Sequence, residues 1–368
     1  MNNKIKIVKS KKSWIESNAI DQLKKVSTLP GIVKAVGLPD LHAGKTPVGA
    51  AYMTKDVIYP HIIGNDIGCG IALFSTGIKR SKFRINKVMK KLEKINNTYS
   101  DYIDQIIKDK NIDNMPFKEK LGTIGSGNHF AELQEIDTVY DKAAIENIGI
   151  EKNNIFLLVH SGSRSYGEYI LNKYIKEYSC QAGITIHSKG FNEYLTEHEK
   201  AIVFANLNRE LIAHRILTVL NSKINRKLLD SIHNSISIKK WDGKTYYIHR
   251  KGAAPSDIGY MVIAGSRGSK SYVVKPMDNL FEYAFSVSHG AGRKWPRQGC
   301  KERLEKIYSK KSIHQNKFSS NIIYKDKNLI YEEAPEAYKN IERVIEDMIG
   351  EKMIKLVASL NPLITYKA

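Results

Sequence analysis

Histidines in glycine-rich turns are the residues of this sequence best suited to chemistry. Five of the 11 histidines lie in or beside such turns, most of them after a short apolar run: His42, His129, His160, His233 and His289. Glycine permits sharp turns and lets a ligand approach the main chain closely. Histidines with purely structural roles would be scattered over helix faces and surfaces, so this clustering favours metal ligation or catalysis.

The stretch F-S-V-S-H-G-A-G-R-K-W-P-R, residues 285–297, concentrates these features. It places His289 between the end of an apolar run and the turn of residues 290–292. Arg293 and Arg297 follow, and guanidinium groups bind phosphate oxygens in a bidentate manner. The stretch is typical of a phosphate-handling site in which His289 is a nucleophile or a ligand. The alternative is a histidine in an ordinary turn beside surface arginines.

A second group of residues has the chemistry of a metal site. Asp66 and Cys69 stand three apart in D-I-G-C-G, where the glycines allow carboxylate and thiolate to face one point. With His129, His160 and His233 they make five candidate ligands. Five ligands are too many for one tetrahedral ion but suit two ions that share a bridging thiolate. Ligand softness alone favours zinc, and the alternative for Cys69 is a buried apolar cysteine.

Basic residues in the same loops add groups that bind anions. They are Arg164, Arg250, Lys251, Lys270, Arg293 and Arg297. Backbone amides of the glycine turns supply further donors. Metal ligands, phosphate-binding groups and one additional histidine together indicate phosphoryl or nucleotidyl transfer, in which positioning and charge neutralisation carry most of the catalysis.

The elements that must position these residues are short strands and a few helices. Hydrophobic patterns predict strands at residues 32–36, 48–53, 71–78, 155–159, 245–248, 261–264 and 271–274. Helices are predicted at residues 84–95, extending to about 112, and at residues 167–178, 196–220 and 335–360. Thr196 and Glu199 resemble a capping box, residues 37–44 read as a loop, and residues 300–327 as a surface excursion. Without repeats or linkers, the pattern predicts one α+β domain over residues 1–368, with its active site built from glycine-rich loops.

Composition limits the classes of protein to consider. The net charge of +20 suits a polyanionic partner such as nucleic acid, with general solubility as the alternative. No apolar run approaches the roughly 20 residues of a membrane span, so we expect no membrane partner. The N-terminus lacks a secretory signal, and three widely separated cysteines argue against a disulfide framework. We therefore expect a cytoplasmic protein.

The motifs, taken together and in order, resemble those of the RtcB family of RNA-splicing ligases. They cover nearly the whole chain and are the following: L-P-D-L-H-A-G-K (38–45), G-N-D-I-G-C-G-I (64–71), L-G-T-I-G-S-G-N-H-F-A-E (121–132), H-S-G-S-R (160–164), I-H-N (232–234), H-R-K-G-A (249–253), S-H-G-A-G-R (288–293) and L-N-P-L-I-T-Y-K (360–367). The resemblance implies central mixed β-sheets with peripheral helices. It also implies a ligase that uses GTP and Mn²⁺ to join RNA 3′-phosphate or 2′,3′-cyclic phosphate ends to 5′-hydroxyl ends.

Residue by residue, the resemblance implies specific roles. His289 would attack the α-phosphorus of GTP and hold GMP as a phosphoramidate, and Asp40 would orient it. Cys69 would bridge two Mn²⁺ ions, one completed by Asp66 and His129 and the other by His160 and His233. This replaces the preference for zinc. Guanylate contacts would come from Asn128, Glu132, Asn234, Ser271, His289, Gly290, Ala291, Gly292 and Lys367. RNA phosphates would be bound by Arg164, Lys251, Arg293 and Arg297.

Two other functions fit the same residues. One is a metal-dependent phosphodiesterase or phosphatase acting on RNA ends, in which His289 is an acid or a ligand. The other is a catalytically idle RNA-binding protein that retains the fold. The chain also departs from the family, with fewer residues than typical members, Trp295-Pro296 after H-G-A-G-R, and Gly265-Ser266-Arg267 where Gly-Ser-Met is common. These departures concern the RNA substrate, and an archease-type activator is a further expected partner.

Overall fold

The protein has an α+β fold with mixed β-sheets, as the sequence predicts. The computed structural model describes residues 4–95, 101–109, 116–222, 226–277, 280–308, 321–326 and 328–367. Across these residues, the structure contains two large sheets, two separate two-stranded sheets, and helices. No described helix combines the length and apolar character needed to cross a membrane.

The larger sheet carries most of the metal-ligand candidates. Its strands, in spatial order, are β13 (Met261–Ile263), β14 (Ser271–Pro276), β17 (Ile354–Lys367), β6 (Phe130–Val139), β7 (Asn154–Ser161), β5 (Gly70–Lys79) and β9 (Arg226–Ile232), with β16 (Ile322–Tyr324) parallel to β17. β7 is buried on both faces, since Leu157 and Phe156 enter different hydrophobic clusters. Coverage of both faces explains its uninterrupted apolar run.

The second sheet and two small strand pairs complete the framework. In spatial order this sheet contains β1 (Ile5–Ile7), β2 (Ile32–His42), β3 (Val48–Thr54), β11 (Lys244–Lys251) and β10 (Asn234–Trp241). The small pairs are β12 (Ala253–Pro255) with β15 (Ser286–Ser288), and β4 (Val57–Ile58) with β8 (Ile184–Thr185).

The helices cover the sheets. They are α1 (Ser17–Ser27), α2 (Pro60–Ile63), α3 (Ile85–Leu92), α4 (Asp101–Asp109), α5 (Lys142–Ile148), α6 (Ser165–Glu177), α7 (Lys189–Val219), α8 (Cys300–Ile307), α9 (Leu329–Glu332) and α10 (Ile341–Gly350). α7 packs Ile212 and Ile216 against the inner strands of the larger sheet. α10 packs Ile345 and Met348 into the core beside the second sheet.

Strand order brings the histidine loops to one place. β6, β7, β5 and β9 are successive antiparallel neighbours, so the start of β6, the end of β7, the start of β5 and the end of β9 share one edge. β2, β3, β11 and β10 of the second sheet are also successive antiparallel neighbours. The end of β2, the start of β3, the end of β11 and the start of β10 therefore share one edge of that sheet. His233 lies between β9 and β10 and therefore connects the two edges.

Three predictions about elements were wrong. Residues 335–360 are not one helix: α10 begins after Asn340, whose side chain caps it, and ends at Gly350, and β17 follows. Apolar residues from position 353 onward continued the helical pattern but belong to a core strand. Thr196 is not an N-cap, because α7 begins at Lys189 and the Thr196 hydroxyl donates to the Asn192 carbonyl.

The third error concerns the loop predicted at residues 37–44. β2 continues to His42, with an irregular register against β3 between Gly37 and His42. This irregularity releases Asp40 from regular pairing and turns it towards the site. Parts of the predicted helical extension to residue 112 and of the excursion at 300–327 lie outside the described residues.

Candidate active site

The two sheet edges enclose a cavity of about 820 Å³. Its walls come from the loops predicted to carry chemistry: Asp66 and Cys69 before β5, His129 before β6, His160 at the end of β7, His233 after β9 and His289 after β15. Residues far apart in sequence therefore line one space.

Five candidate metal ligands lie in a row with Cys69 at the centre. On one side, Cys69 Sγ is 3.3 Å from His129 Nε2, which is 2.8 Å from Asp66 Oδ2. On the other side, Cys69 Sγ is 3.3 Å from His160 Nε2, which is 3.2 Å from His233 Nε2. Ligand atoms of Cys69, His129 and His160 lie within 4.8 Å of one another, and Asp66 and His233 add one donor at each end of this group. The set of five donors suits two cations bridged by a thiolate.

Hydrogen bonds behind the ligands set the ring orientations. His160 Nδ1 lies 3.1 Å from the Asn128 carbonyl and donates to it, which leaves the Nε2 lone pair facing the sulfur. Arg164 donates to His129 Nδ1 at 3.2 Å, so His129 carries its proton on Nε2 and shares it with Asp66. A cation bound between His129 and Asp66 would replace that proton, as metal binding to protonated ligands requires.

Burial prepares most of these donors for a cation. Burial lowers the pKa of His160 and of His233 well below the ordinary value, and neighbouring histidines add to the effect. Burial, reinforced by Asp66, raises the pKa of the Cys69 thiol well above 9.0. Burial would also raise the pKa of Asp66, but His129, Arg164 and Cys69 together outweigh it and lower that pKa to about 2. A divalent cation would reverse the effect at Cys69, because it stabilises the thiolate.

Partly buried His289 and fully buried Asp40 form a pair beside the candidate metal ligands. His289 Nδ1 donates to Asp40 Oδ2 over 2.7 Å, so Nε2 retains its lone pair for an electrophile. Burial would raise the pKa of Asp40, but the hydrogen bond and charge of His289 lower it below its ordinary value. The His289 and His233 ring centroids are 4.5 Å apart, which places the pair next to the metal-ligand candidates.

A glycine fixes the distance between these two residues. Gly292 has φ +71°, and a Cβ atom there would overlap the carbonyl oxygen of Asp40 and lie 2.9 Å from its C and Cα atoms. The turn after His289 therefore packs directly on the β2 backbone, which only glycine permits.

Four of the residues expected to contact guanylate lie on or beside strands of the larger sheet: Asn128, Glu132, Ser271 and Lys367. The Glu132 carboxylate is buried at the cavity wall and accepts from Gln134 Nε2 at 2.6 Å and from the Thr365 hydroxyl. Burial raises the pKa of Glu132 to about 7, although those hydrogen bonds oppose the rise. Ser271 does not line the cavity; its hydroxyl accepts from Gln134 at 3.0 Å, behind Glu132.

The remaining nucleotide candidates have distinct positions. Lys367 lines the cavity, and its ammonium donates to the carbonyls of Gly127 and His129 at 2.9 and 3.3 Å. Asn128 also lines it. The Asn234 side chain accepts from Gly252 N at 2.8 Å and donates to the Asp66 carbonyl at 3.2 Å, so it joins two active-site loops. Residues 290–292 form the turn beside His289 and line the cavity.

The four predicted RNA-binding cations all line the cavity, but they differ in how strongly other groups of the protein already bind them. The Arg293 guanidinium is bound by other groups of the protein: it donates to the carbonyls of Trp295 and Glu332 and forms an ion pair with Glu333 at 3.2 Å. Arg297 is half exposed, and its Nε lies 3.7 Å from Glu333 Oε1. Lys251 donates to the Thr46 hydroxyl at 2.6 Å, and burial lowers its pKa to about 8.

Sequence reasoning missed several charged residues that shape the site. Lys339 donates to the carbonyls of Pro39 and Leu41, at 3.0 and 2.6 Å, on either side of Asp40. Arg209, on α7 and fully buried, donates to the carbonyls of Gly68 and Ser161 beside the Cys69 and His160 positions. No motif marks Lys339. An arginine within the apolar stretch of α7 was the available signal for Arg209.

Comparison with known proteins agrees with the resemblance in the motifs. A family model described as tRNA-splicing ligase RtcB matches residues 22–115 and 96–368. The RNA-splicing ligase RtcB2 of Escherichia coli strain ATCC 25922 is 40% identical, over 96% of this chain and 93% of that protein. The tRNA-splicing ligases RtcB of Nanoarchaeum equitans and Archaeoglobus fulgidus are 29% and 27% identical, over 96% and 95% of this chain and 92% and 91% of theirs.

An α+β protein with a buried thiol, imidazole and carboxylate cluster beside a carboxylate-bound histidine belongs to the class of metal-binding enzymes. Within that class, this chain belongs to the RtcB family. The alignment with the Nanoarchaeum protein runs over 444 residues, more than the 368 of this chain, so that relative has segments that this chain lacks.

Proposed function

We propose that this chain is a GTP- and Mn²⁺-dependent RNA ligase, acting as one domain in tRNA splicing or RNA repair. It joins 3′-phosphate or 2′,3′-cyclic phosphate ends to 5′-hydroxyl ends. Membership of the RtcB family supports RNA ligation. The single observation that carries the chemistry is His289, whose Nδ1 is held by buried Asp40 while its ring lies 4.5 Å from that of His233.

Two Mn²⁺ ions are proposed for the ligand row. Asp66, His129 and Cys69 would hold one, and Cys69, His160 and His233 the other. The donor set fits, since each group contains three atoms and the groups meet at Cys69 Sγ. Bound there, the ions supply positive charge that neutralises phosphate oxygens during transfer.

The chain's own residues would perform the first transfer. His289 Nε2 attacks the α-phosphorus of GTP, the new P–N bond forms, and the bond to pyrophosphate breaks. Asp40 keeps the Nδ1 proton in place and stabilises the positive charge that develops on the ring. Glu132 would accept from the guanine N1–H and N2–H groups, and Lys367 would donate to its O6 atom.

Two further transfers would complete ligation. A 2′,3′-cyclic end would first be hydrolysed: water attacks the phosphorus, the P–O2′ bond breaks, and a 3′-phosphate and a 2′-hydroxyl are left. An oxygen of the 3′-phosphate then takes GMP from His289 as the P–N bond breaks. The 5′-hydroxyl then attacks the 3′-phosphorus and displaces GMP. Arg164, Lys251 and Arg297 line the same cavity and would position the phosphates of the two RNA ends.

A ligation assay tests this proposal. We expect an RNA with a 3′-phosphate and an RNA with a 5′-hydroxyl to be joined only when GTP and Mn²⁺ are present. His289→Ala should abolish joining, whereas His187→Ala, a histidine outside the cavity lining, should not. Loss of the 3′-phosphate without joining would instead establish the hydrolase alternative. Repeating the assay with an archease-type protein tests whether turnover needs an activator.

A further inference from the structure

A basic and aromatic segment at the rim of the cavity has no role in the chemistry described above. Residues 9–14 read K-S-K-K-S-W. Trp14 is 57% exposed, whereas Trp241 and Trp295 are partly buried against hydrophobic clusters. A tryptophan ring is large and mostly apolar, and an exposed one offers a flat face on which a nucleotide base can stack.

The chain from Ser13 to Glu16 connects Trp14 to the cavity wall. This stretch contains no helix or turn, Glu16 has an extended backbone, and Ile15 is buried while Trp14 is exposed. Glu16 follows Trp14 by two residues, so their Cα atoms lie at most about 7 Å apart. Glu16 lines the cavity, and its carboxylate is bound to the Ala43 amide at 2.7 Å. Trp14 is not itself among the lining residues, so it lies outside the cavity wall but close to it.

Three lysines precede Trp14 in the sequence and are available to an anion. Lys9, Lys11 and Lys12 are exposed and make no ion pair with any described residue. The turn that carries them is ordered by the Ser13 amide, which donates to the Ser10 carbonyl at 3.2 Å. It is tied to α10 by the Ser10 amide, which donates to Asp347 at 3.3 Å. The lysines thus project from a fixed support.

The rim continues from this segment into the site. Ala43 and Gly44 line the cavity, and Gln22 of α1 donates to the Gly44 carbonyl at 2.9 Å, which ties the two parts of the rim together. Lys45 is exposed at the next position. Lys251, further inside, is one of the cations expected to contact RNA phosphates.

We propose that residues 9–14 form a binding platform for single-stranded RNA leading into the cavity, with one base stacked on Trp14 and backbone phosphates on Lys9, Lys11 and Lys12. The proposal rests on the proposed RNA ligase function. An aromatic face combined with unpaired cations is the pattern by which proteins hold single strands without reading their sequence. The net charge of +20 would attract an acidic protein surface as well as RNA. Only RNA would also stack a base on Trp14, so Trp14 distinguishes between these two partners.

The test is RNA binding without turnover. A fluorescently labelled RNA of about ten nucleotides with a 3′-phosphate is titrated without GTP, at salt concentrations from about 50 to 200 mM. We expect Trp14→Ala to weaken binding by about 5- to 100-fold without changing the salt dependence, and Trp14→Phe to restore most of it. Lys11→Gln combined with Lys12→Gln should reduce the slope of log K against log salt by about 1.4, since each phosphate contact on a single strand contributes about 0.7.

Tyr140→Ala is the matched control. Tyr140 is 49% exposed but follows β6 at the end opposite to Phe130, about 30 Å along the strand from the cavity. Its removal should leave RNA affinity unchanged. If Trp14→Ala binds RNA as wild type does, or if Tyr140→Ala weakens binding equally, the platform does not exist. Guanylylation by GTP needs no RNA, so a normal label on Trp14→Ala separates this failure from failure of the proposed ligase function.

Discussion

Replacing Gly292 by alanine should disable the nucleophile without removing any catalytic side chain. The added Cβ would overlap the Asp40 carbonyl oxygen and lie 2.9 Å from two other Asp40 backbone atoms. Ordinary contact begins near 3.4 Å. The β2 backbone at Asp40 must therefore retreat by at least about 0.5 Å, and on the order of 1 Å for the oxygen. The 2.7 Å bond from His289 Nδ1 to Asp40 would then lengthen beyond hydrogen-bonding distance.

A misplacement of about 1 Å commonly costs about 100-fold in rate, and we expect that loss in the rate of guanylylation. Gly243→Ala is the control, because Gly243 also has a positive φ, +68°, but has open space where its Cβ would be. Both variants should lose about 1 kcal/mol of stability from the backbone conformation alone. Thermal unfolding measures that common cost, and labelled GTP measures the rate.

A double variant decides whether the effect passes through Asp40. Asp40→Asn should slow guanylylation, and adding Gly292→Ala should slow it little further, because both changes remove the same interaction. Equal rates for Gly292→Ala and Gly243→Ala would refute the reasoning. A double variant whose loss of guanylylation rate equals the product of the two single losses would also refute it.

Three further predictions concern the metal site, the nucleotide pocket and the support of β2. Cys69→Ala should reduce bound Mn²⁺ from about two ions per chain to at most one by elemental analysis, whereas exposed Cys180→Ala should not. GTP affinity, measured by titration calorimetry, should rise as the pH increases through about 7. Burial raises the pKa of Glu132 to about 7, and only the ionised carboxylate can accept hydrogen bonds from two guanine N–H groups. Glu132→Gln should bind GTP weakly and independently of pH. Lys339→Met should slow guanylylation about tenfold with GTP affinity unchanged, and Lys339→Arg should restore the rate.

Each of these has a result that would contradict it. An unchanged metal content in Cys69→Ala means that the thiol bridges nothing. A pH-independent GTP affinity in the wild type means that Glu132 does not bind the base in its ionised form. For Lys339, exposed Lys355→Met is the control, and an equal loss of rate in both variants would reduce the effect to a general loss of charge.

The positions of the reactive residues could be predicted because they depend on local sequence. A histidine after an apolar run and before glycines, such as His160 or His289, must lie at a strand end, whatever the fold. What could not be predicted is why those ends meet. The order β6-β7-β5-β9 is set by pairing between distant segments, and no single segment encodes it.

Long-range partners also explain the errors. β17 is apolar on a spacing that suits either a helix or a strand, and its pairing with β6 and β14 decides between them. Lys339 and Arg209 donate hydrogen bonds to backbone carbonyls of other segments. Every residue has a backbone carbonyl, so the sequence of the accepting segment contains no motif that marks the contact. Asp40 was identified from the family motif, but its escape from regular strand pairing appeared only in the register of β2 against β3.

The chemistry proposed for this site depends on a covalent bond between His289 and a nucleotide phosphate, formed beside a metal pair. Incubation of the purified chain with Mn²⁺ and GTP labelled at the α-phosphate tests it most directly. We predict that wild-type protein retains a label that is labile in acid and stable in base, as a P–N bond requires, and that His289→Ala retains none. A label that persists in His289→Ala would place the nucleophile elsewhere, and a metal-loaded wild-type protein that acquires no label would rule out the covalent intermediate.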